Sequence, residues 1–174
     1  MPSNLELKAR IPSIRRATRN ALTLGARRRE VLIQKDTYYS SPRGRLKLRE
    51  INRKRYEIIY YHRRNIQGNR FSEYRVIPVQ KPVDVKKFLE DMLGILCVVQ
   101  KRRTLFLYKN ARIHLDVVRG LGAFLEFEVL VTNGKRQARA LMKELWKAFD
   151  IQKEAVVAGS YSDFIQRDSG KKNL

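Results

Sequence analysis

In four separate stretches of this chain, charged and apolar residues alternate one for one, and that period restricts what the stretches can become. Leu5-Glu6-Leu7-Lys8-Ala9-Arg10-Ile11 puts Leu5, Leu7, Ala9 and Ile11 in one set and Glu6, Lys8 and Arg10 in the other. Arg45-Leu46-Lys47-Leu48-Arg49, Arg112-Ile113-His114-Leu115-Asp116-Val117 and Leu125-Glu126-Phe127-Glu128-Val129 repeat the pattern. Successive side chains on a strand point to opposite faces, so each stretch predicts a strand with one apolar and one ionisable face. A sheet face in bulk water accepts any mixture of polar residues. These faces hold almost no Ser, Thr, Asn or Gln. If the sheet curls and closes, the charged faces converge inward and helices cover the apolar outer faces, as in a small barrel that holds side chains or one ligand.

The rest of the chain fits that frame. Val31 to Tyr39, Tyr56 to Arg63, Phe71 to Val79 and Val98 to Tyr108 read as further strands, with turns around Asn65–Asn69 and at Asn110. Helices are predicted over Ser13–Leu24, with Gly25 just past its end, over Asp84–Leu93 with Asp84 as cap, and over Arg136–Phe149. A short fourth helix fits Ser160–Ile165. About eight strands that mostly follow one another favour an antiparallel sheet of α+β class. No linker or internal repeat divides residues 1–167, which read as a single domain, and 168–174 reads as a polar, disordered tail.

Charge sets the partner class. The 38 Lys+Arg against 17 Asp+Glu give a formal +21, which calls for a polyanion: a phosphate-rich small molecule, or RNA bound to a basic surface. A lumen lined by cations repels itself unless carboxylates or an anionic ligand offset it. Lys and Arg suit phosphate oxygens. Glu126 and Glu128, two residues apart on one strand face, and Glu6 on another strand offer the hard oxygen ligands that select Mg²⁺ or Mn²⁺. The single Cys97 permits no internal disulfide and, set among Ile95, Leu96, Val98 and Val99, reads as a buried, inert thiol. No apolar run reaches a bilayer-spanning length and the N-terminus lacks a signal pattern, so the expected location is cytoplasmic, with the nucleus left open.

In order and spacing, these residues resemble the CYTH superfamily, the triphosphate tunnel metalloenzymes that include class IV adenylyl cyclases and thiamine triphosphatases. The resemblance spans about residues 3 to 166. The family's first strand reads Glu-x-Glu-x-Lys, and here it reads Asn4-Leu5-Glu6-Leu7-Lys8. The later matches are Asp36-Thr37-Tyr38-Tyr39, Gly44 to Arg49, Tyr61-His62-Arg63, Ser72-Glu73-Tyr74-Arg75, Lys101-Arg102-Arg103, Arg112 to Asp116, Leu121 to Glu128 and Ala158 to Asp163. The resemblance implies a closed eight-stranded antiparallel barrel with helices outside it. It implies phosphate contacts from Lys8, Arg45, Lys47, Arg49, Arg63, Arg75, Lys101, Arg103 and Arg112. It implies divalent metal on Glu6, Glu126, Glu128 and Asp116, and a catalytic set of Glu6, Lys8, Glu126 and Glu128. Asn4 stands where the family has its first glutamate, which removes one anionic ligand.

The remaining residues have plainer readings. His114 is expected to be a structural hydrogen-bonding residue rather than a general base, and His62 to face outward. Tyr38, Tyr39, Tyr60 and Tyr61 are expected in barrel packing, with stacking on a base as the alternative. Arg27-Arg28-Arg29 reads as a solvated basic loop or an RNA contact. No Ser-His-Asp, Cys-His, Walker or zinc-ligand spacing is present. The expected activity is metal-dependent hydrolysis of a triphosphate such as tripolyphosphate, thiamine triphosphate or a nucleoside triphosphate. Cyclisation of ATP and RNA-end or polyphosphate binding are the alternatives. The sequence leaves the oligomeric state open.

Overall fold

In the computed structural model, which describes residues 3–62, 70–132 and 134–170, eight antiparallel strands close into a barrel. The strands are β1 (Ser3–Arg10), β2 (Arg27–Tyr39), β3 (Arg45–Ile51), β4 (Arg55–His62), β5 (Arg70–Pro78), β6 (Ile95–Tyr108), β7 (Ala111–Val118) and β8 (Gly122–Leu130). Their order around the barrel is β1-β5-β4-β3-β2-β6-β7-β8, and β1 pairs with both β5 and β8 to complete the ring. The helices are α1 (Ile14–Thr23), α2 (Pro82–Leu93), α3 (Lys135–Ala148) and α4 (Tyr161–Gly170).

The period-two pattern sorts side chains as expected. Leu5, Leu7, Ala9, Ile113, Leu115, Leu125, Phe127 and Val129 point out of the barrel into a core shared with Ala17 and Ala21 of α1 and with Leu141, Met142 and Leu145 of α3. Small alanines let α1 lie close to β7 and β8, and Ser13 caps the helix, its Oγ accepting from the Arg16 amide at 3.2 Å. Fully burying a Leu or Phe side chain stabilises by about 1.5–3 kcal/mol, so this outer core is what holds β7, β8 and β1 in place.

Several boundaries differ from the sequence reading. Arg27–Arg29 is the exposed start of β2 rather than a loop, because β6 extends far enough to pair with it, with a register shift between Arg28 and Glu30. Pro82 opens α2 with Lys81 at its N-cap, so Asp84 sits in the first turn and is not the cap. α4 runs to Gly170 and crosses the boundary placed after residue 167; residues 171–174 lie outside the described residues.

α4 closes one end of the barrel. Its Tyr161 packs with Tyr38, Val99, Val118 and Phe124, with Phe164 and Ile165 beside it. The turn into α4 depends on Gly159, at φ +93, where a Cβ would come within 2.9 Å of Asp163 Oδ2. Asp163 in turn accepts the Ser160 amide at 2.7 Å. No helix among the described residues is long and apolar enough to cross a membrane.

Candidate functional site: two charged walls of one lumen

The barrel encloses a cavity of about 320 Å³ on the lumen side of the strands. Six cations (Lys8, Lys47, Arg49, Lys101, Arg103, Arg112) and five carboxylates (Glu6, Asp36, Glu57, Glu126, Glu128) line it, along with Asn4, Tyr38, Tyr61, Tyr74, Ser160 and Tyr161. Among the described residues the lining is therefore close to neutral.

One wall centres on Asp36, which is fully buried on β2. Its Oδ2 accepts from Lys47 Nζ and Lys101 Nζ, both at 3.0 Å, and Arg49 donates from Nε at 2.7 Å and Nη2 at 2.8 Å. Strand pairing creates this cluster: Asp36 sits opposite Arg49, and Tyr38 opposite Lys47. Burial pushes the Asp36 carboxyl up, but Arg49, Lys101 and Lys47 outweigh it and hold the pKa well below the usual range. Burial and the neighbouring Arg49 bring Lys47 well below its ordinary value despite Asp36. Burial, followed by repulsion from Arg49 and Arg103, brings Lys101 to about 8 although Asp36 opposes the shift.

The opposite wall belongs to β1, β7 and β8. Glu126 Oε1 is 3.1 Å from Lys8 Nζ, and Oε2 accepts from Arg103 Nη2 at 2.6 Å. Burial raises Glu126, yet Lys8 leads the cations that hold it well below the usual carboxylate range. Arg103 also clamps Asp116 through Nε at 2.7 Å and Nη2 at 2.6 Å, and the Tyr161 hydroxyl donates to the same Asp116 at 2.8 Å. Lys8 Nζ lies 3.8 Å from the centre of the Tyr161 ring. Glu128 lies 3.5 Å from Arg112 Nη1. His114 Nδ1 is 3.7 Å from both Glu126 Oε2 and Glu128 Oε1.

This geometry sorts the sequence candidates. Lys8, Lys47, Arg49, Lys101, Arg103 and Arg112 line the cavity, as do Glu6, Glu126 and Glu128. Arg103 is the inward member of its pair, and Arg102 is exposed. Three residues do not stand where the sequence put them. Arg45 is absent from the lining and instead holds Asp163 of α4 at 2.8 and 3.1 Å. Arg75 is exposed on the outer face, because Tyr74 and Val76 are the inward residues of β5. Asp116 lies behind Arg103 and Tyr161, so its oxygens are engaged in orienting the arginine rather than open to a metal. Arg63 lies outside the described residues, as does the side chain of His62.

Tyr38 and Tyr61 line the lumen, Tyr39 is buried on the outer face with Leu48 and Leu89, and Tyr60 is partly exposed. Cys97 is half-buried rather than buried; partial burial, with Asp163 beside it, pushes its thiol up to about 11, which keeps it unreactive. Two central residues were not singled out from sequence. Asp36 lies in a strand whose two faces are both polar, Gln34-Asp36-Tyr38 against Lys35-Thr37-Tyr39, which blurs the alternation. Tyr161 enters the lumen from a helix, where strand parity gives no signal.

The metal question can be put to the donor set. His114, Glu126 and Glu128 offer one ligand atom each, all within 4.8 Å of one another. Two atoms bonded to one ion at roughly 2.0–2.2 Å stand at most about 4.4 Å apart, so the 3.7 Å separations from His114 fit directly and the widest fits after a small side-chain movement. Asn4 Oδ1 and His114 Nδ1 are buried polar atoms with no hydrogen-bond partner among the described residues. These residues fit a divalent ion.

The CYTH domain profile matches residues 3–161. A search of curated proteins found no match. Among solved structures, PH1012 protein from Pyrococcus horikoshii OT3 superposes with a TM-score of 0.81 at 24% identity, over 92% of this chain and 98% of that one. A putative adenylate cyclase from Vibrio parahaemolyticus gives 0.75 at 19% identity, over 93% and 97%. The putative adenylyl cyclase HpAC1 from Hippeastrum, described as having a dominant triphosphatase activity, gives 0.66 at 14% identity, over 96% of each chain. At these identities the likeness establishes the shared fold.

Proposed function

The chain belongs to the CYTH domain family, and from that premise we propose that it hydrolyses a triphosphate drawn into the lumen, with Mg²⁺ or Mn²⁺ as cofactor. The observation that carries this reading is the division of one cavity into a wall with three cations around a single carboxylate and a facing wall rich in carboxylates. A phosphate chain carries negative charge along its length, and a metal–phosphate complex needs both kinds of wall at once.

Lys47, Arg49 and Lys101 then bind non-transferred phosphates, Arg49 through its planar fork and the lysines as point charges. They are held in place before the ligand arrives, because Asp36 orders all three. Lys8 and Arg103 sit between the walls, each already against Glu126. That position suits them to the charge that develops on the phosphoryl oxygens as the bond breaks. Arg112, at the open side, takes the far end of the chain. When bound, a divalent ion on Glu126 and Glu128, with Glu6 and Asn4 alongside, supplies Lewis-acid polarisation of a phosphoryl oxygen. In the chemical step a water oxygen bonds to the terminal phosphorus, the bridging P–O bond breaks with its electron pair on the leaving phosphate, and a lumen carboxylate takes the water's proton. Tyr161 and α4 shield one end of the barrel from water.

Cyclisation of ATP is a second reading, favoured by Tyr38, Tyr61 and Tyr74 in the lining, which offer rings to a base. One assay separates the two. The full-length protein with Mg²⁺ or Mn²⁺ and ATP, thiamine triphosphate or tripolyphosphate releases orthophosphate in an EDTA-sensitive reaction if it is a hydrolase. Cyclic AMP with pyrophosphate identifies a cyclase. Salt-sensitive RNA binding with no turnover of any substrate would instead assign the chain to RNA-end binding, through exposed cations such as Arg27 and Arg28.

A further inference from the structure

His114 does not line the cavity but stands beside Glu126 and Glu128, which do, and hydrolysis as proposed has no use for it. It projects from β7 between Arg112 and Asp116, and its neighbour across the strand pair is Glu126. It is 5% exposed, and its Nδ1 meets no hydrogen-bond partner among the described residues. Leaving a buried polar atom unsatisfied costs about 1–3 kcal/mol, so such an atom calls for an explanation.

An imidazolium pairing with both glutamates is the ordinary explanation, and the geometry does not favour it. Both separations from Nδ1 are 3.7 Å, too long for a well-formed hydrogen bond, so this nitrogen has at best a weak electrostatic pull on Glu126. Nor do the acids need another cation. Glu126, Glu128 and Asp116 are already met by Lys8, Arg103 and Arg112. What remains is a buried ring nitrogen standing 3.7 Å from two carboxylate oxygens, a group of three atoms that one ion can hold together.

We propose that His114 is a nitrogen ligand of the divalent metal, sharing it with Glu126 and Glu128, and that this ring makes the site prefer Mn²⁺, Co²⁺ or Zn²⁺ to Mg²⁺. The inference rests on the reading that the lumen binds metal with its triphosphate, and it specifies which metal and through which atoms. Imidazole is a borderline ligand that suits later divalent ions, while Mg²⁺ takes oxygen ligands almost exclusively. The departure at Asn4 fits this assignment. Where a glutamate would add an anionic oxygen, this chain has a neutral amide, and His114 restores the number of donors without restoring the charge. Because the resident cations already balance the acids, a dication adds excess positive charge. Metal therefore binds more tightly in the presence of tripolyphosphate.

The test uses the full chain with Mn²⁺, with and without tripolyphosphate. Electron spin-echo spectroscopy of bound Mn²⁺ is expected to show modulation from a directly coordinated ¹⁴N nucleus, which H114Q abolishes. Competition titrations are expected to show H114Q lowering Mn²⁺ and Co²⁺ affinity at least ~10-fold while Mg²⁺ affinity changes less than ~3-fold, the loss expected for one borderline ligand. The wild-type spectrum needs no variant, so a misfolded H114Q does not spare the proposal. Bound Mn²⁺ without nitrogen modulation, or an unchanged Mn²⁺-to-Mg²⁺ preference in H114Q, overturns the His114 assignment and leaves triphosphate hydrolysis standing. Wild-type protein that binds neither metal nor tripolyphosphate overturns the functional reading itself.

Discussion

The two walls of the lumen use the same residue types in opposite proportions. Around Asp36 one carboxylate holds Lys47, Arg49 and Lys101. Across the cavity Glu126 and Asp116 share Arg103, Lys8 binds Glu126, and Glu128 and Glu6 stand beside them. The first wall keeps a positive surplus ready for an anion, with a buried acid fixing the cations in place. The second holds carboxylates that, on the proposed function, exchange their lysine and arginine partners for a metal. Total charge does not reveal this difference, since six cations against five acids nearly cancel among the described lining residues.

Removing the organising acid should break the first wall outright. Asp36→Asn leaves three buried cations without their counter-ion, and the expected loss is about 3–5 kcal/mol of folding stability by urea denaturation. Tripolyphosphate, by supplying the missing negative charge, should stabilise this variant more than it stabilises the wild type. A stability change below about 1 kcal/mol would mean that the Asp36 cluster does not hold the wall together.

The second wall should fail in a different way. Glu128→Gln keeps the shape and removes a half-buried carboxylate whose nearest cation, Arg112, is 3.5 Å away, so the fold should tolerate it. On the proposed function, kcat for tripolyphosphate should fall about 10²-fold, the usual scale for losing one preorganised electrostatic group. Binding measured in EDTA should hold or tighten, because one repulsive charge is gone. Equal losses in binding and turnover would contradict the division of labour between the walls.

How much of this was legible beforehand follows from the same contrast. Strand alternation marked the inward faces of β1, β3, β7 and β8, because each has a clean apolar face against α1, α3 or the flanking core. It did not mark β2, where both faces carry polar residues, so Asp36 went unranked although its three partners were all named. Arg75 rested on the family resemblance rather than on alternation, and β5 turns its neighbours Tyr74 and Val76 inward instead. Asp116 alternates correctly and does face inward. What the sequence could not show is that a tyrosine from a C-terminal helix, 45 residues on, would occupy it.

A smaller effect tests the balance of the first wall. Lys101, brought to about 8 from an ordinary value of 10.5, loses its charge as pH rises through about 8. Affinity for tripolyphosphate should therefore fall above that pH, by at most about 10-fold per unit, measured by calorimetry in EDTA. Between about 8 and 10.5 the unfolded chain binds more protons at this residue than the folded one, so its contribution to folding stability rises with pH over the same window. Opposite trends in binding and stability are the signature of a lysine kept strained for an anion. Lys101→Arg should weaken the pH dependence of binding to the part that Lys47 contributes, and a wild-type affinity that stays flat to pH 9.5 would assign the anion to other groups.

The smallest expected effect concerns Arg45, which the sequence placed among the phosphate contacts. The structure gives its guanidinium to Asp163, where it ties β3 to the helix that closes the barrel. That pair is mostly buried, and losing it by Arg45→Ala should lower stability by about 1 kcal/mol. Affinity for tripolyphosphate should stay within about 2-fold, because the residue lies outside the lining and the ordering of Lys47, Arg49 and Lys101 by Asp36 does not pass through it. Arg49→Ala is the matching control from inside the wall. It removes a charge-assisted fork worth about 1.5–3 kcal/mol, so affinity should fall at least ~10-fold. If Arg45→Ala weakened binding as much as Arg49→Ala, the cationic wall would have to extend up to α4, and the end of the barrel closed by Tyr161 would become part of the phosphate site.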